Sequence, residues 1–341
     1  MKTGIAIGGS LPEVATLALR AEEAGLESVW VAELDHSAFV QAAASIGATK
    51  RIGVGTAVAL AFPRSPTVTA MTAWDLDELS GDRFELGLGP QVKRVLEARF
   101  AVKVDHPAPQ MREYVRALHT IWAANRGDSA GGQPPAFEGD YYRITMPTFH
   151  GPIRPERRDT PVLLAGVGPI MAGVAGEVAD GLLGHPLASP RYLREIVAPA
   201  IQAGLDRAGR PSTACPISGT LLVSLGEDED EARRAARLQI AFYATTPSYK
   251  AILELHDRKA LPRDLRRAFV NGDRARMAEL VDDELLDTIA IAGRPDQAAD
   301  RLRAWEGVID RAILGVPWYG MSAGRQREAI EAALEFGASL L

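Results

Sequence analysis

The sequence predicts an α/β fold, a closed (β/α)8 TIM barrel with inserted segments, and three observations support this. Short apolar runs alternate with helical patterns eight times along the 341 residues. The runs are continuously apolar, which is typical of parallel strands that are buried on both faces. Eight strand–helix units favour a closed barrel over an open doubly wound sheet.

The apolar runs give the predicted strands in chain order. These are residues 3–7, 28–33, 52–60, 83–89, 161–166, 180–184, 217–224 and 310–316. The helical patterns that follow them are residues 11–24, 40–48, 67–79, 91–100, 168–179, 190–208, 227–243 and 324–340. Gly25 and Gly81 stand where the first and third helices should end, because glycine readily adopts the left-handed conformation found there.

Two insertions interrupt this alternation, at about residues 100–160 and about residues 225–307. The first contains a predicted helix at 111–124, a Gly/Pro/Ser-rich break at 127–135 and a predicted hairpin at 137–145. The second contains several predicted helices. Such long connections usually act as lids or packing elements. The break could be a linker, but each flank completes only half a barrel, so we expect one domain over residues 1–341.

Composition excludes several classes of protein. The formal net charge is -6, and no basic block is interleaved with aromatic residues, so nucleic acid is not expected as a partner. No apolar stretch approaches the roughly 20 residues of a membrane span. The only cysteine is Cys215, which excludes a disulfide framework and a thiolate zinc site, and no histidine spacing indicates a metal site. We expect a cytoplasmic protein that acts on a small molecule.

Active sites on this fold lie at the carboxyl ends of the strands, which limits the candidates. His36 follows the second strand beside Glu33 and Asp35 and is the best candidate for proton transfer near neutral pH. It could instead be a solvated loop histidine, and Glu33 could be a buried structural carboxylate. His185, before Pro186, would either contact a ligand or cap a strand.

A glycine-spaced turn follows the fifth strand and leads directly into an alanine-rich helix. Gly166 and Gly168 would let backbone come close to a ligand, and Pro169 suits the first helical position. The free N–H groups of such a helix start favour an anion such as a phosphate. The match to a nicotinamide-type dinucleotide fingerprint is poor, because Met171 stands where the third glycine should be. The turn could also serve helix–strand packing alone.

Three stretches together resemble the luciferase-like oxidoreductases. They are SVWVAELDHSAF (28–39), GTAVALAFPRSPTVTAMTAWDLDELSGDRFELGLGPQVK (55–93) and LLAGVGPIMAGVAGEVADGLLGHPL (163–187). Within that superfamily they look most like the actinobacterial branch predicted to use the deazaflavin coenzyme F420. The resemblance spans nearly the whole chain.

The resemblance implies a homodimer in which each chain is a (β/α)8 barrel with inserted segments. The ring of a deazaflavin or flavin would lie at the carboxyl end of the barrel. A non-prolyl cis peptide on the third strand would lie at Ala57–Val58, beside the ring and Gly89. His36 would be the proton donor, and Glu33 and Gln91 would line the ring or substrate. The phosphate cradle would comprise backbone on two neighbouring turns: Gly166, Val167, Gly168, Pro169, Gly184 and His185.

Two departures from the family pattern affect the proton donor. Many relatives have a compact SDH-like motif where this chain has ELDH before Ser37, and several deazaflavin enzymes have a glutamate where this chain has Pro90, Gln91 and Val92. We expect hydride transfer between deazaflavin C5 and a small organic substrate. The alternatives are an FMN-dependent monooxygenase and a non-catalytic F420-binding protein. A nicotinamide-dependent Rossmann enzyme is disfavoured by the eight-unit count.

Overall fold

The computed structural model describes residues 1–128, 136–145 and 154–341, and its main sheet is a closed barrel. The strands in chain order are β1 Lys2–Ile7, β2 Ser28–Val31, β3 Gly53–Thr56, β4 Ala59–Leu60, β5 Phe84–Gly89, β6 Phe137–Glu138, β7 Arg143–Ile144, β8 Val162–Ala165, β9 Gly181–Gly184, β10 Ile217–Leu225, β11 Ala290–Gly293 and β12 Arg311–Gly315. Eight of them, β1, β2, β3, β5, β8, β9, β10 and β12, pair in parallel around a ring, and β12 closes it against β1. The predicted (β/α)8 barrel is therefore confirmed.

The helices surround this ring. They are α1 Leu11–Glu23, α2 Ala38–Ala48, α3 Pro66–Ser80, α4 Lys93–Phe100, α5 Pro107–Arg126, α6 Pro169–Val178, α7 Pro190–Tyr192, α8 Ala198–Ala208, α9 Glu229–Ala244, α10 Lys250–Leu255, α11 Leu261–Val270, α12 Arg274–Glu279, α13 Asp283–Ile289, α14 Pro295–Leu302 and α15 Ala323–Ser339. A π-helical turn, Leu193–Val197, joins α7 to α8, so the predicted helix at 190–208 is continuous but not uniform. Gly25 and Gly81 have φ values of 86° and 65°, as their predicted place at helix ends requires.

Within the described parts of the insertions, one strand was not predicted from the sequence. Strand β11 pairs in parallel with Leu222–Leu225, the part of β10 that extends beyond its pairing with β9. The four-residue apolar run of β11 follows a helix directly, and periodicity cannot separate so short a strand from the end of a helix. The predicted helix at 111–124 and hairpin at 137–145 are found as α5 and the β6–β7 pair. Residues 129–135 of the predicted break and 146–153 lie outside the described residues, and the single domain stays a prediction.

Trp30 fills the centre of the barrel together with Leu163, Leu183 and Ile313. The neighbouring strand leaves space for its indole by carrying glycine. A Cβ on Gly55 would lie 2.3 Å from the Trp30 ring, a distance that packed atoms do not reach. The barrel interior is therefore a packed core rather than a channel, and a ligand can approach only from its ends.

At the amino end of the barrel, carboxylates that precede one strand accept an N–H from the neighbouring strand. The acceptor oxygens lie 2.9–3.2 Å from the donor nitrogens, in the pairs Glu27 with Thr3, Asp180 with Val162 and Asp310 with Ile217. Glu85 and Arg311 form a two-bond ion pair there, with both N–O distances at 2.9 Å. These bonds fix the start of the strands and so determine where their carboxyl ends lie.

Candidate functional site

The segments that follow β2 and β3 and the last residue of β5 bring Glu33, Val58 and Gly89 together at the carboxyl end of the barrel. The Ala57–Val58 peptide bond is cis, as the family resemblance implied. The carbonyl of Val58 accepts the N–H of Glu33 at 3.1 Å. A Cβ on Gly89 would lie only 2.6 Å from the Val58 side chain, so glycine is needed for the two strands to approach.

The Glu33 carboxylate is fully engaged with protein donors. One oxygen accepts the N–H of Leu60 and a guanidinium nitrogen of Arg64, each at 2.8 Å, and the other oxygen accepts the second guanidinium nitrogen. The Glu33 side chain is 8% exposed. Arg64 also donates to the Leu60 carbonyl and lies over the ring of Phe39. This geometry is typical of a structural carboxylate, and the predicted catalytic role of Glu33 stays a prediction.

His36 lies on the loop between β2 and α2 with its imidazole open to solvent. The side chain is 41% exposed, and its Nε2 is 3.9 Å from a carboxylate oxygen of Asp35. Arg99 of α4 donates a hydrogen bond to the carbonyl of Leu34 and so ties α4 to the same loop. An accessible imidazole at this end of the barrel can exchange protons with a ligand there, but its role stays a prediction.

Gln91 begins the turn after β5 in a left-handed conformation, with a φ of 62°. Its side-chain oxygen accepts the N–H of Val92 at 2.9 Å. Helix α4 therefore begins at Lys93, two residues later than predicted, because a left-handed residue cannot continue a helix. The half-buried Gln91 side chain is at the expected end of the barrel, and its contact with a ring or substrate stays a prediction.

The glycine turn between β8 and α6 contains two glycines with different surroundings. A Cβ on Gly166 would lie 2.9 Å from the Leu182 side chain, so Gly166 serves packing. A Cβ on Gly168 would meet nothing within 4 Å, and the φ of -91° at Gly168 is open to any residue. Gly168 is the N-cap of α6, Pro169 is at its start, and no side chain caps the helix. Among the described residues, the first turn of α6 therefore has no side-chain cap, and the space where a Gly168 side chain would lie is open.

The loops after β8 and β9 lie side by side. Residues Ala165 and Leu183 are partners in the β8–β9 ladder, and the N–H of Gly166 donates to the Leu183 carbonyl at 3.3 Å. Gly184 and His185 follow directly. The Tyr192 hydroxyl fixes this arrangement by donating to the Val167 carbonyl at 3.1 Å. The predicted cradle residues of both loops are thus neighbours in space.

His185 is held as a neutral imidazole. Its Nδ1 accepts the N–H of Leu187 at 3.1 Å, which leaves the ring proton on Nε2. Burial lowers the pKa of His185 to about 3. The ring packs against two tyrosines of the second insertion, with centroid distances of 4.7 Å to Tyr243 and 4.2 Å to Tyr249. His185 is therefore suited to donate a hydrogen bond but not to supply a positive charge.

Sequence reasoning missed the contribution of α9 to this end of the barrel. The side-chain amide oxygen of Gln239 accepts the backbone N–H groups of Trp318 and Tyr319, at 2.9 and 2.8 Å. Both of these residues belong to the loop after β12. Phe242 stacks on Tyr319 with a centroid distance of 4.2 Å. One signal was available: Gln239 occupies a buried position of α9 next to Ile240, where a polar residue needs a specific partner.

Neither a metal-binding cluster nor a membrane-spanning helix is found in residues 1–128, 136–145 and 154–341. Within them, no group of three or more His, Cys, Asp or Glu side chains has an arrangement that could hold a metal ion. No helix in those ranges combines the length and apolar character needed to cross a bilayer.

Comparison with known proteins gives a consistent result for family and fold. Residues 2–311 match the family described as luciferase-like monooxygenase. The chain is 39% identical over 344 residues to the uncharacterized protein Rv1360 of Mycobacterium tuberculosis, and the match covers 98% of this chain and 97% of that protein. It is 29% identical over 290 residues to the 5,10-methylenetetrahydromethanopterin reductase of Archaeoglobus fulgidus, with 83% and 82% of the two chains covered.

The fold is also similar to that of solved structures. The coenzyme F420 dependent tetrahydromethanopterin reductase from Methanopyrus kandleri superposes with a TM-score of 0.78. The sequences are 23% identical, and the alignment covers 98% of this chain and 97% of that one. At this level of identity the superposition supports the architecture alone.

Proposed function

Because the chain belongs to the luciferase-like monooxygenase family, we propose that it is an oxidoreductase that uses the deazaflavin coenzyme F420. The expected reaction is hydride transfer between the coenzyme and a small organic substrate. When bound, the coenzyme would supply or accept the hydride at its ring carbon C5. The similarity to the 5,10-methylenetetrahydromethanopterin reductase of Archaeoglobus fulgidus supports a redox reaction for this chain.

The observation that carries the proposal is the uncapped start of α6 beside Gly168. Uncapped N–H groups and the helix dipole attract an anion, and the phosphate of a ring cofactor has the required charge. Glycine at position 168 is required neither by its φ nor by its neighbours. A glycine at this position would, however, let a ligand come close to the backbone. Gly166, Val167, Pro169 and the Gly184–His185 backbone would complete the cradle.

The residues around the cis peptide would hold the ring. Val58 lies at the carboxyl end of the barrel, in close contact with Gly89, which has no side chain to compete with a ring for this space. Glu33 would act as a positioning residue, because its three hydrogen bonds fix Leu60 and Arg64 next to Val58. His36 would hold or release the proton that accompanies hydride transfer, since its imidazole is accessible. Gln91 would line the substrate side of the ring.

The main alternative is an FMN-dependent monooxygenase, since the family name describes that activity and FMN also carries a phosphate. Anaerobic turnover separates the two. Reduced F420 should be oxidised by a substrate panel in the absence of oxygen, and the expected result is a rate independent of oxygen. A strict requirement for FMN and oxygen would replace the proposal with the monooxygenase. Tight F420 binding without turnover across the panel would support a non-catalytic F420-binding protein.

We expect a homodimer that forms through α2 and α3. Val68, Met71 and Leu79 form an exposed apolar stripe on α3, and Val40 is exposed on the adjacent α2. Apolar side chains grouped in this way are typical of a protein interface. Light scattering after size exclusion should give twice the mass of one chain, and Met71→Glu should lower it to one chain. A monomeric wild type would contradict this expectation.

A further inference from the structure

A short segment of the second insertion, residues 247–256, lies against the connection between β9 and α7, and we call it the strap. The ring of Tyr249, near its beginning, is 4.2 Å from the ring of His185 between centroids. The Nε2 atom of His256, at its end, is 2.8 Å from the hydroxyl oxygen of Ser189. The strap therefore contacts this connection at two points.

Ser189 is completely buried and takes part in two hydrogen bonds. It is the N-cap of α7, and its hydroxyl oxygen accepts the N–H of Tyr192 at 3.0 Å. Because the oxygen is the acceptor in that bond, its own hydrogen is free to be donated to His256. Burial lowers the pKa of His256, which keeps the imidazole neutral and able to accept. Without His256, the buried hydroxyl would lose the partner for its hydrogen, which is unfavourable.

Tyr192 continues this series of hydrogen bonds to the predicted cofactor cradle. Its side chain is buried, and its hydroxyl donates to the carbonyl of Val167 at 3.1 Å. The Val167–Gly168 peptide bond is planar and trans, so its carbonyl and the N–H of Gly168 point in opposite directions. A bond that fixes the Val167 carbonyl therefore also fixes the direction of the Gly168 N–H, at the start of α6.

A second polar contact joins the strap to α7, but it is exposed. Arg191 donates to the Leu255 carbonyl at 3.2 Å, and its side chain is 52% exposed and also pairs with Glu195. Exposed contacts of this kind hold a geometry weakly, because water competes for both partners. The buried bond between His256 and Ser189 is therefore the polar contact through which the strap best restrains α7.

We infer that His256 is a positioning residue for the cofactor cradle. Through Ser189 and Tyr192 it holds the Val167–Gly168 peptide so that the Gly168 N–H can bind the phosphate. This inference rests on the proposed function, because the cradle is proposed to hold the phosphate of F420. It gives the second insertion a role in cofactor affinity and gives His256 no contact with the reacting atoms.

Two substitutions of His256 test the inference by titration of the full chain with F420. His256→Leu removes the polar partner of Ser189, and His256→Gln places an amide near the position of Nε2. The dissociation constant should rise about fivefold in His256→Leu, as for the loss of one net hydrogen bond, and return to within about twofold of the wild type in His256→Gln. Unchanged affinity in His256→Leu, or a loss that His256→Gln does not restore, would overturn the inference.

Tyr192→Phe removes the last bond of the series and keeps the ring. It should weaken F420 binding by about the same factor as His256→Leu, and the double variant should be no weaker than either single one, because both act through one peptide. Fully additive losses would contradict this. The matched control is Tyr142→Phe, which removes a phenol bonded to Gln110 at 2.9 Å in the first insertion and should leave the affinity unchanged.

Hydrogen exchange of the cofactor-free chain tests the connection without F420. In His256→Leu and Tyr192→Phe, but not in Tyr142→Phe, the amides of residues 166–174 should exchange faster than in the wild type, relative to the amides of β1. The β1 amides report on the stability of the whole barrel. Unchanged relative exchange would overturn the inference. Faster exchange in a chain whose wild type does not bind F420 would contradict the proposed function and keep the connection between the strap and the turn.

Discussion

Two groups of polar atoms, one at each end of the barrel, differ in how far the protein satisfies their hydrogen bonds. At the amino end, the Glu22 carboxylate accepts the N–H groups of Lys50, Arg51 and Ile52, at 3.0, 2.5 and 2.8 Å. Burial alone would raise the pKa of Glu22, but these donors outweigh it and lower that pKa. At the carboxyl end, α6 begins without a side-chain cap, and Gln239 Nε2 has no partner in the described residues.

This difference separates stability from function within one fold. Donors and acceptors that satisfy each other contribute to folding and leave nothing for a ligand. Donors that protein leaves unsatisfied reduce stability, and a ligand that accepts from them would offset that cost. Substitutions of these amino-end groups should therefore change stability and spare binding, and substitutions at His36 and Gly168 should do the reverse.

The largest expected effect is on catalysis, at the carboxyl end. His36→Ala should lower turnover by about 10²–10⁴-fold, the usual contribution of a general acid or base. Because the imidazole is 41% exposed and its Nε2 is 3.9 Å from the Asp35 carboxylate, stability and F420 affinity should stay within error of the wild type. Steady-state kinetics and F420 titration measure the two quantities. Turnover equal to that of the wild type would remove His36 from the mechanism.

The amino end should give the next largest effect, on stability. The Arg311 guanidinium lies over the Trp30 ring and donates two hydrogen bonds to Glu85. Glu85→Ala removes both of these bonds. We expect the free energy of unfolding to fall by about 2–3 kcal/mol, as for the loss of hydrogen bonds to a charged group. Chemical denaturation provides the measurement, with Glu85→Gln as a milder control. A loss of F420 affinity without a loss of stability would contradict the division between the two ends.

A smaller effect is expected at the glycine turn. Gly168→Val adds a side chain to the space that Gly168 leaves open, without a clash or a strained φ. The dissociation constant for F420 should rise at least about tenfold, roughly 1.4 kcal/mol, while thermal stability stays the same. The matched control is Gly47→Val, since a Cβ on Gly47 in α2 also meets nothing within 4 Å. Equal cofactor affinity in the two variants would argue that Gly168 serves no ligand.

The smallest effect is a pH dependence of stability that originates at His185. Between its folded pKa of about 3 and its ordinary value near 6.5, the unfolded chain binds a proton that the folded chain excludes. Stability should therefore be complete above about pH 6.5 and fall as the pH is lowered, by at most about 1.4 kcal/mol per pH unit.

His185→Asn tests this contribution, because it removes the titrating group. The variant should show a flatter stability profile between pH 7 and 5 than the wild type. Some slope should remain, because burial also lowers the pKa of His256. His106→Asn, at an exposed histidine before α5, is the matched control for the substitution itself. An unaltered profile in His185→Asn would show that His185 is not buried as a neutral group.

The barrel strands were predictable from sequence because each is a local apolar run with a clear end. The glycine turn before α6 was predictable for the same reason, since Gly166, Gly168 and Pro169 are adjacent in the chain. The predicted third strand is interrupted between β3 and β4 at Ala57–Val58, where the peptide bond is cis, a feature that only the family resemblance indicated. Local patterns therefore gave the frame and the backbone part of the site.

The side-chain part of the site depends on contacts between distant segments, and local patterns do not contain these. Gln239 meets Trp318 across 79 residues, and His185 meets Tyr243 and Tyr249 from the second insertion. Glu33 was a candidate for chemistry from its place after β2, but its Arg64 partner became evident only in the folded chain. Long insertions bring such residues together, and the sequence alone cannot specify their packing.

The most direct test of the account is an equilibrium titration of the wild-type chain with F420 and with FMN, followed by quenching of its five tryptophans and by ring absorbance. The account predicts saturable binding of F420 at one site per chain, with clearly weaker binding of FMN. Tighter binding of FMN would assign the site to the flavin alternative. If neither cofactor binds, the uncapped start of α6 is not a phosphate site, and the central claim is contradicted.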